Sequence, residues 1–216
     1  MNIKTKTHAC LKSDGDGFPL AEDGTFEAIV SVFNVVDSVR DIVMPGAFAD
    51  SLNTWSERHS KHGNNLPVLW SHRMDDPRYN IGYVLSAAEL GPGDERIPKS
   101  SSSEVHANGG LWIRGQLDID EGASDIAKAA RRLLQARRVV QFSFAYDVVQ
   151  YKVTDDNITE LHQLWLHEVS PTQVGAHRMT DLGHAKAAPT DGPKAHRTSV
   201  QDLRLRCEIA ANLYGR

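Results

Sequence analysis

Residues 141–149, QFSFAYDVV, decide the fold that we expect for this 216-residue chain. The stretch is rich in aromatic and β-branched residues and contains no glycine or proline, which is typical of a β-strand. Because side chains alternate across a strand, Phe142 and Phe144 share one face and Ser143 lies on the other. That second face is small and partly polar, which leaves room around the serine hydroxyl.

Two further segments carry side chains that could meet this serine. Residues 66–72, LPVLWSH, predict a short strand ending on His72, and residues 161–170, LHQLWLHEVS, predict a strand that carries Glu168. A serine hydroxyl becomes an effective nucleophile when a neighbouring imidazole takes its proton and a carboxylate fixes the imidazole tautomer. We therefore consider Ser143, His72 and Glu168 as nucleophile, base and orienting acid.

Each of these residues also has a purely structural explanation. Ser143 could be a small residue packed beneath a helix, and His72 could bond a backbone carbonyl. Strict alternation places Glu168 beside the apolar Leu166 on the core face, where a carboxylate needs a partner because burying an unpaired charge is costly. If the strand is bulged, His167 replaces Glu168 as the third member.

The rest of the chain predicts short alternating strands and few helices. Strands are expected at residues 25–33, 81–89 and 110–120, and helices at residues 47–58, 124–138 and 198–214. Few strands are joined by a helix, which favours an α+β fold with a mostly antiparallel, barrel-like sheet surrounded by helices. We expect a domain at residues 1–182, a linker rich in Ala, Pro, Gly and Lys at residues 183–197, and a closing helix within residues 198–216.

Composition narrows the class of protein further. A net charge of -4 gives no reason to expect nucleic acid or an anionic membrane as the main partner. No apolar run approaches the ~20 residues that a membrane-spanning helix needs. The two cysteines, Cys10 and Cys207, form no disulfide framework and no CxxC motif, so a reducing cytosolic setting fits best.

Residues that could bind a metal ion do not form a recognisable site. The side chains that could bind zinc lack its usual spacing: His59, His62, His72 and Cys10. Asp37 and Asp41 could bind a cation, but a solvated loop explains them as well. We expect no metal and no cofactor.

Taken in order, these segments resemble the prohead maturation proteases of tailed bacteriophages, serine proteases distantly similar in fold to the herpesvirus assemblins. The resemblance runs from about residue 25 to residue 181 and rests on FNVVD (33–37), DIVMPGAF (41–48), LWSH (69–72), IG (81–82), GLW (110–112), the helix before Ser143, and EVSPT (168–172). By this resemblance, His72 is the general base, Ser143 the nucleophile and Glu168 the third member.

The resemblance also implies a biological setting. It implies an endopeptidase inside the phage procapsid, assembled in the host cytoplasm, that cuts the scaffold protein or a scaffolding segment of the major capsid protein, and itself. Residues 183–197 are suited to self-cleavage because flexible polar tails thread easily into an active site. Similar assemblin folds work as dimers, so we expect self-association. Related folds place backbone N–H groups after the third residue, which makes the turn at residues 175–178 the candidate oxyanion hole.

The chain departs from the family pattern in two places. The family usually has Ser, an aliphatic residue, Gly and an aromatic residue at the nucleophile, whereas this chain has SFAY at residues 143–146. It has GA at residues 175–176 where the family tends to carry Pro-Ala. Two other classes stay open: a non-catalytic scaffolding or capsid-interaction protein with the same fold, and a hydrolase of small esters.

Overall fold

The computed structural model describes residues 4–7, 10–11, 20–37, 39–99 and 101–173, and for the first two ranges it describes the backbone alone. All of these residues belong to the first of two units into which the chain divides, residues 1–182. The predicted linker, closing helix and oxyanion turn lie outside the described residues, at residues 183–197, 198–216 and 175–178. The domain boundaries therefore stay a prediction.

Nine strands and three α-helices make up the described part of the chain. The strands are β1 (Lys4–Thr7), β2 (Cys10–Leu11), β3 (Thr25–Val32), β4 (Asp41–Val43), β5 (Pro67–Leu69), β6 (Asn80–Leu90), β7 (Gly110–Leu117), β8 (Gln141–Val153) and β9 (Thr159–Thr172). The helices are α1 (Ala49–His62), α2 (Ser103–Asn108) and α3 (Asp125–Gln135). None of these helices is long and apolar enough to cross a lipid bilayer.

The strands form one mixed sheet in the order β1-β8-β9-β5-β6-β7-β3-β2, and β4 also pairs with β9. Strands β4 and β5 run parallel to β9, and the other pairs are antiparallel. The sheet curls so that β3 approaches β8, which gives a half-barrel with helices packed against it. The α+β class is confirmed, and the barrel-like sheet that we expected is a mixed half-barrel.

The aromatic face of β8 is the centre of the core. Phe142, Phe144 and Tyr146 are buried on this face. Phe142 stacks on Phe26 with ring centroids 5.4 Å apart, and Phe144 meets Phe48 edge-on at 5.3 Å. The alternation predicted for this part of β8 is therefore confirmed, and it directs the side chain of Ser143 to the opposite face.

Helix α1 and the residues just before it contact the edge of β9 between β4 and β5. The N–H of Leu164 donates to the carbonyl of Ala47 at 2.8 Å, and the N–H of Leu166 donates to Ser51 Oγ at 2.9 Å. The indole N–H of Trp55 donates to the carbonyl of Leu166 at 2.9 Å. Backbone N–H groups of β9 are thus satisfied by the helix and by the segment that leads into it.

Candidate active site

Strands β8 and β9 together present a small polar patch. Ser143 lies directly opposite Ser170, and Ala145 lies directly opposite Glu168. Directly opposite residues of an antiparallel pair share a face, so these four side chains lie together, and we call them the serine patch. All four residues are buried. Their hydroxyl and carboxyl groups therefore need hydrogen-bond partners inside the protein.

A β-bulge at His167 puts Glu168 on this patch. Tyr146 lies opposite Leu166 and Ala145 lies opposite Glu168, which leaves His167 as the extra residue of β9. The bulge reverses the alternation, so Glu168 and Leu166 point to opposite faces. The expectation that strict alternation would place Glu168 beside Leu166 is wrong for this reason.

The bulge does not make His167 the partner of the imidazole. His167 Nε2 lies 3.0 Å from Asp147 Oδ2, although without the angles of a hydrogen bond. Glu168 is the residue that contacts His72. We expected that His167 would replace Glu168 if the strand were bulged. For the contact with the imidazole, this expectation is wrong.

The imidazole of His72 lies against the carboxylate of Glu168. His72 Nδ1 is 2.5 Å from Glu168 Oε1, and the two side chains are 18% and 1% exposed. An ionised carboxylate can only accept hydrogen bonds, so Nδ1 carries the proton and Nε2 is left as the basic nitrogen. Nε2 is buried and has no hydrogen-bond partner among the described residues. The ring is thus oriented to accept a proton at Nε2.

The sequence predicted that a strand ends on His72. In the structure, His72 instead lies in a tight turn that follows the strand. Strand β5 ends at Leu69, and the chain then turns through Ser71 with φ 52° and His72 with φ 61°. Both values fall in the left-handed region, which is unfavourable for residues other than glycine. Such a turn persists only where neighbouring contacts hold it.

Hydrogen bonds to β9 hold this turn. The N–H of Ser71 donates to the carbonyl of Pro171 at 3.2 Å, and the N–H of His72 donates to Ser170 Oγ at 3.0 Å. Ser170 in turn donates from its hydroxyl to Glu168 Oε2. The backbone of the turn and the side chain of the acid are therefore joined through one serine.

Ser143 completes the group from the other strand. It faces Ser170 across the ladder, and the Cβ atoms of directly opposite residues lie about 4.5–5.5 Å apart. Because Ser170 Oγ contacts the backbone of His72, the structure brings the three predicted residues, Ser143, His72 and Glu168, to one place. Ser143 itself is fully buried.

The other polar candidates lie elsewhere or have structural partners. Within the described ranges, no three His, Cys, Asp or Glu side chains cluster in a way that could hold a metal ion. Asp37 Oδ1 accepts the N–H groups of Val39 and Asp41 at 2.9 and 2.8 Å, which closes a loop. Burial, and then the charges of Asp41 and Asp37, raise the pKa of Tyr146, so its phenol stays neutral.

Ser170 is the part of the site to which the sequence analysis gave no role. The sequence did indicate the face on which Ser170 lies, since a polar residue two positions after Glu168 on a buried strand faces the same side. What the sequence could not show was the contact with the turn at His72, which joins segments 98 residues apart.

A hydroxyl, an imidazole and a carboxylate gathered on one buried face fit the class of serine hydrolases, here built on a half-barrel sheet. Comparisons with known proteins narrow this class. The family model for the caudovirus prohead serine protease matches residues 101–191. The prohead protease of Enterobacteria phage HK97 is 30% identical over 138 residues, which are 63% of this chain and 48% of that protein.

A solved structure agrees with the fold. The bacteriophage T4 capsid assembly protease, gp21, superposes with a TM-score of 0.51 over 79% of this chain and 96% of that chain, at 11% sequence identity. The chain is thus similar to prohead proteases in the sequence of part of its length, and to a phage capsid protease in its fold. The chain spans about half the length of the curated relative that it matches.

Proposed function

We propose that the chain is a serine endopeptidase of phage prohead maturation, with Ser143 as nucleophile, His72 as general base and Glu168 as orienting acid. The observation that carries this proposal is the 2.5 Å contact between His72 Nδ1 and Glu168 Oε1, beside the face that carries Ser143. The match of residues 101–191 to the prohead serine protease model supports the same chemistry.

In the proposed reaction, Ser143 Oγ attacks the carbonyl carbon of the scissile peptide bond and its proton passes to His72 Nε2. The tetrahedral intermediate collapses, the C–N bond breaks, and the same proton passes to the leaving amine. Water then hydrolyses the acyl-enzyme ester by the same route. Glu168 holds the imidazole through Nδ1 and stabilises the positive charge that the ring gains.

We infer the substrates from the descriptions of the related proteins. The related proteins are described as a prohead protease and a capsid assembly protease. We propose that the present chain cuts the scaffold protein, or a scaffolding segment of the major capsid protein, inside the procapsid in the host cell. Self-cleavage within residues 183–197 and self-association belong to the same proposal.

Coexpression with the capsid and scaffold proteins of the same phage tests this function, read by intact mass. Wild-type protein should yield shortened capsid, scaffold or protease chains, and Ser143→Ala should leave every chain at full length. Ser31→Ala is the matched control, because Ser31 is equally buried but lies on β3. Full-length chains with the wild type in assembled particles would contradict the proposal.

One observation favours a second candidate, a non-catalytic scaffolding or capsid-interaction protein with the same fold. Ser143 is fully buried, as a residue with only a packing role would be. This candidate predicts that Ser143→Ala changes no chain length, while removal of residues 198–216 prevents assembly. The same coexpression experiment therefore separates the two functions.

A further inference from the structure

We propose that Ser170 is a positioning residue of this site, which fixes the orientation of Glu168 and the backbone of His72 at the same time. The inference rests on the proposed function for its consequence in catalysis. Its basis is a set of contacts around a single buried hydroxyl.

The hydroxyl of Ser170 closes a ring of hydrogen bonds. It accepts the backbone N–H of His72 at 3.0 Å and donates its own proton to Glu168 Oε2. The other carboxylate oxygen, Oε1, accepts from His72 Nδ1 at 2.5 Å. The ring thus runs from the backbone of His72 through Ser170 and Glu168 to the side chain of His72, and each carboxylate oxygen has its own donor.

This ring restrains two conformations on which the position of His72 Nε2 depends. One is the rotation of the Glu168 carboxylate, which is fixed because Ser170 holds the oxygen that does not contact the ring. The other is the backbone conformation of His72, whose φ of 61° needs support from its surroundings. Because the site is buried, these hydrogen bonds act in a medium of low polarity, where they are stronger than in water.

Ser51 shows what a structural serine looks like in the same protein. It is equally buried and accepts the N–H of Leu166 at 2.9 Å, also on β9. It contacts neither His72 nor Glu168 among the hydrogen bonds of the described residues. Ser51→Ala therefore removes a comparable buried hydrogen bond and is a matched control for a loss of stability.

The first measurement is the rate at which a small alkyl fluorophosphonate modifies the full chain. In this reaction Ser143 Oγ bonds to phosphorus and fluoride leaves, while His72 takes the proton. Ser170→Ala should lower the maximal rate of modification about 10- to 100-fold, as expected for losing a hydrogen bond to a charged group. The probe concentration at half-maximal rate should stay unchanged, because Ser170 acts through Glu168 and His72. Ser51→Ala should change neither value.

The second measurement does not depend on activity. In the Ser143→Ala background, the proton on His72 Nδ1 should give a far-downfield NMR signal, because it lies in a short hydrogen bond to a carboxylate. Adding Ser170→Ala should move this signal upfield or remove it, while adding Ser51→Ala should leave it in place.

The outcomes separate this inference from the proposed function. Loss of rate and of the NMR signal in Ser170→Ala alone supports the inference. If the folded Ser170→Ala chain keeps both, or if Ser51→Ala loses them equally, Ser170 is not a positioning residue. If neither the wild type nor a chain that lacks residues 1–11, whose strand β1 pairs beside Ser143, is modified, the proposed function is contradicted, and the NMR signal still decides the role of Ser170.

Discussion

One additional residue in β9 decides which side chains can meet. His167 bulges out of the ladder, and this turns Glu168 away from the face of Leu166 and towards Ser143 and His72. A carboxylate on the apolar face would have been costly to bury. On the serine patch, it has a histidine and a serine as hydrogen-bond donors.

Glu168→Gln tests the orienting role of the carboxylate. An amide can present its N–H₂ group to His72 Nδ1, which would place the ring proton on Nε2 and leave no base for Ser143. We expect fluorophosphonate modification to slow by about 10³- to 10⁴-fold, the loss known when the carboxylate of a Ser-His-Asp triad becomes an amide. The rate is measured by intact mass over time.

Glu160→Gln is the matched control for that substitution. It removes a carboxylate that lies 3.1 Å from His162 on the same strand, at its exposed end. Its modification rate should equal that of the wild type. An equal loss in both variants would mean that the effect comes from β9 as a whole and not from the orientation of His72.

His167→Gln tests the alternative third member. Because His167 lies against Asp147 and not against His72, we expect no change in the modification rate. A loss as large as that of Glu168→Gln would show that His167, and not Glu168, supports the base.

At the scale of the elements, β9 is positioned by neighbours from three different segments. Strands β4 and β5 pair with its two ends, and α1 bonds the edge between them. The start of α1 is in turn tied to β6, because Glu89 accepts the N–H groups of Gly46 and Phe48 at 2.7 Å each. This tie joins the residues that begin the helix to a second strand of the sheet.

Glu89 makes the stability of this tie dependent on pH. Burial raises the pKa of Glu89, although the two N–H donors oppose the shift. A carboxyl group with a raised pKa in the folded protein is harder to ionise there than in the unfolded chain. Its contribution to stability is therefore greatest below its ordinary pKa of 4.5 and falls as the pH rises through the folded value.

Glu89→Gln removes this titration. The free energy of unfolding of the wild type, relative to that of Glu89→Gln, should fall as the pH rises above the ordinary carboxyl pKa of 4.5. Urea unfolding of both proteins over a series of pH values from below 4.5 upwards measures the difference. A difference that grows as the pH rises would contradict the assigned direction of the shift.

Whether a segment forms a helix or a strand was easier to predict than the direction in which a strand pairs or the residue at which it ends. The stretches at β3, β6, β7, β8 and α3 have enough residues for an alternating or helical pattern to show, and each was predicted near its observed bounds. Strands β4 and β5 have three residues each, too few to show which neighbour they pair with or that they run parallel to it.

The candidate site was predictable in its residue types and not in its geometry. The hydroxyl, imidazole and carboxylate could be chosen from strands of the right composition. The bulge at His167 depends on the pairing with β8, and the left-handed turn at Ser71 and His72 depends on hydrogen bonds to β9. Both are set by contacts distant in sequence, which is also why the role of Ser170 was missed.

At the scale of the whole molecule, the first two strands of the chain, β1 and β2, lie at opposite ends of the strand order of the sheet. We call these two strands the N-terminal arm. Strand β1 pairs with β8, and β2, which follows it in the chain, pairs with β3. The pairing of β1 places Thr7 opposite Ser143 and Lys4 opposite Tyr146. The arm therefore occupies the backbone edge beside the candidate nucleophile, where an extended peptide could otherwise add as a strand.

Removal of residues 1–11 tests whether the arm limits access to the site. Since Ser143 is buried and β1 lies beside it, the truncated chain should react faster with the fluorophosphonate than the full chain. Circular dichroism in the near-ultraviolet checks that the aromatic core stays packed. A truncated chain that keeps this signal and reacts no faster would show that another segment covers the serine.

The most direct test of the central claim is to map the fluorophosphonate adduct on the folded protein by peptide mass spectrometry. The account predicts one adduct per chain, on Ser143, that is absent from both Ser143→Ala and His72→Gln. An adduct that persists in folded Ser143→Ala, or forms at the wild-type rate in His72→Gln, would contradict the assignment of Ser143 and His72 as nucleophile and base.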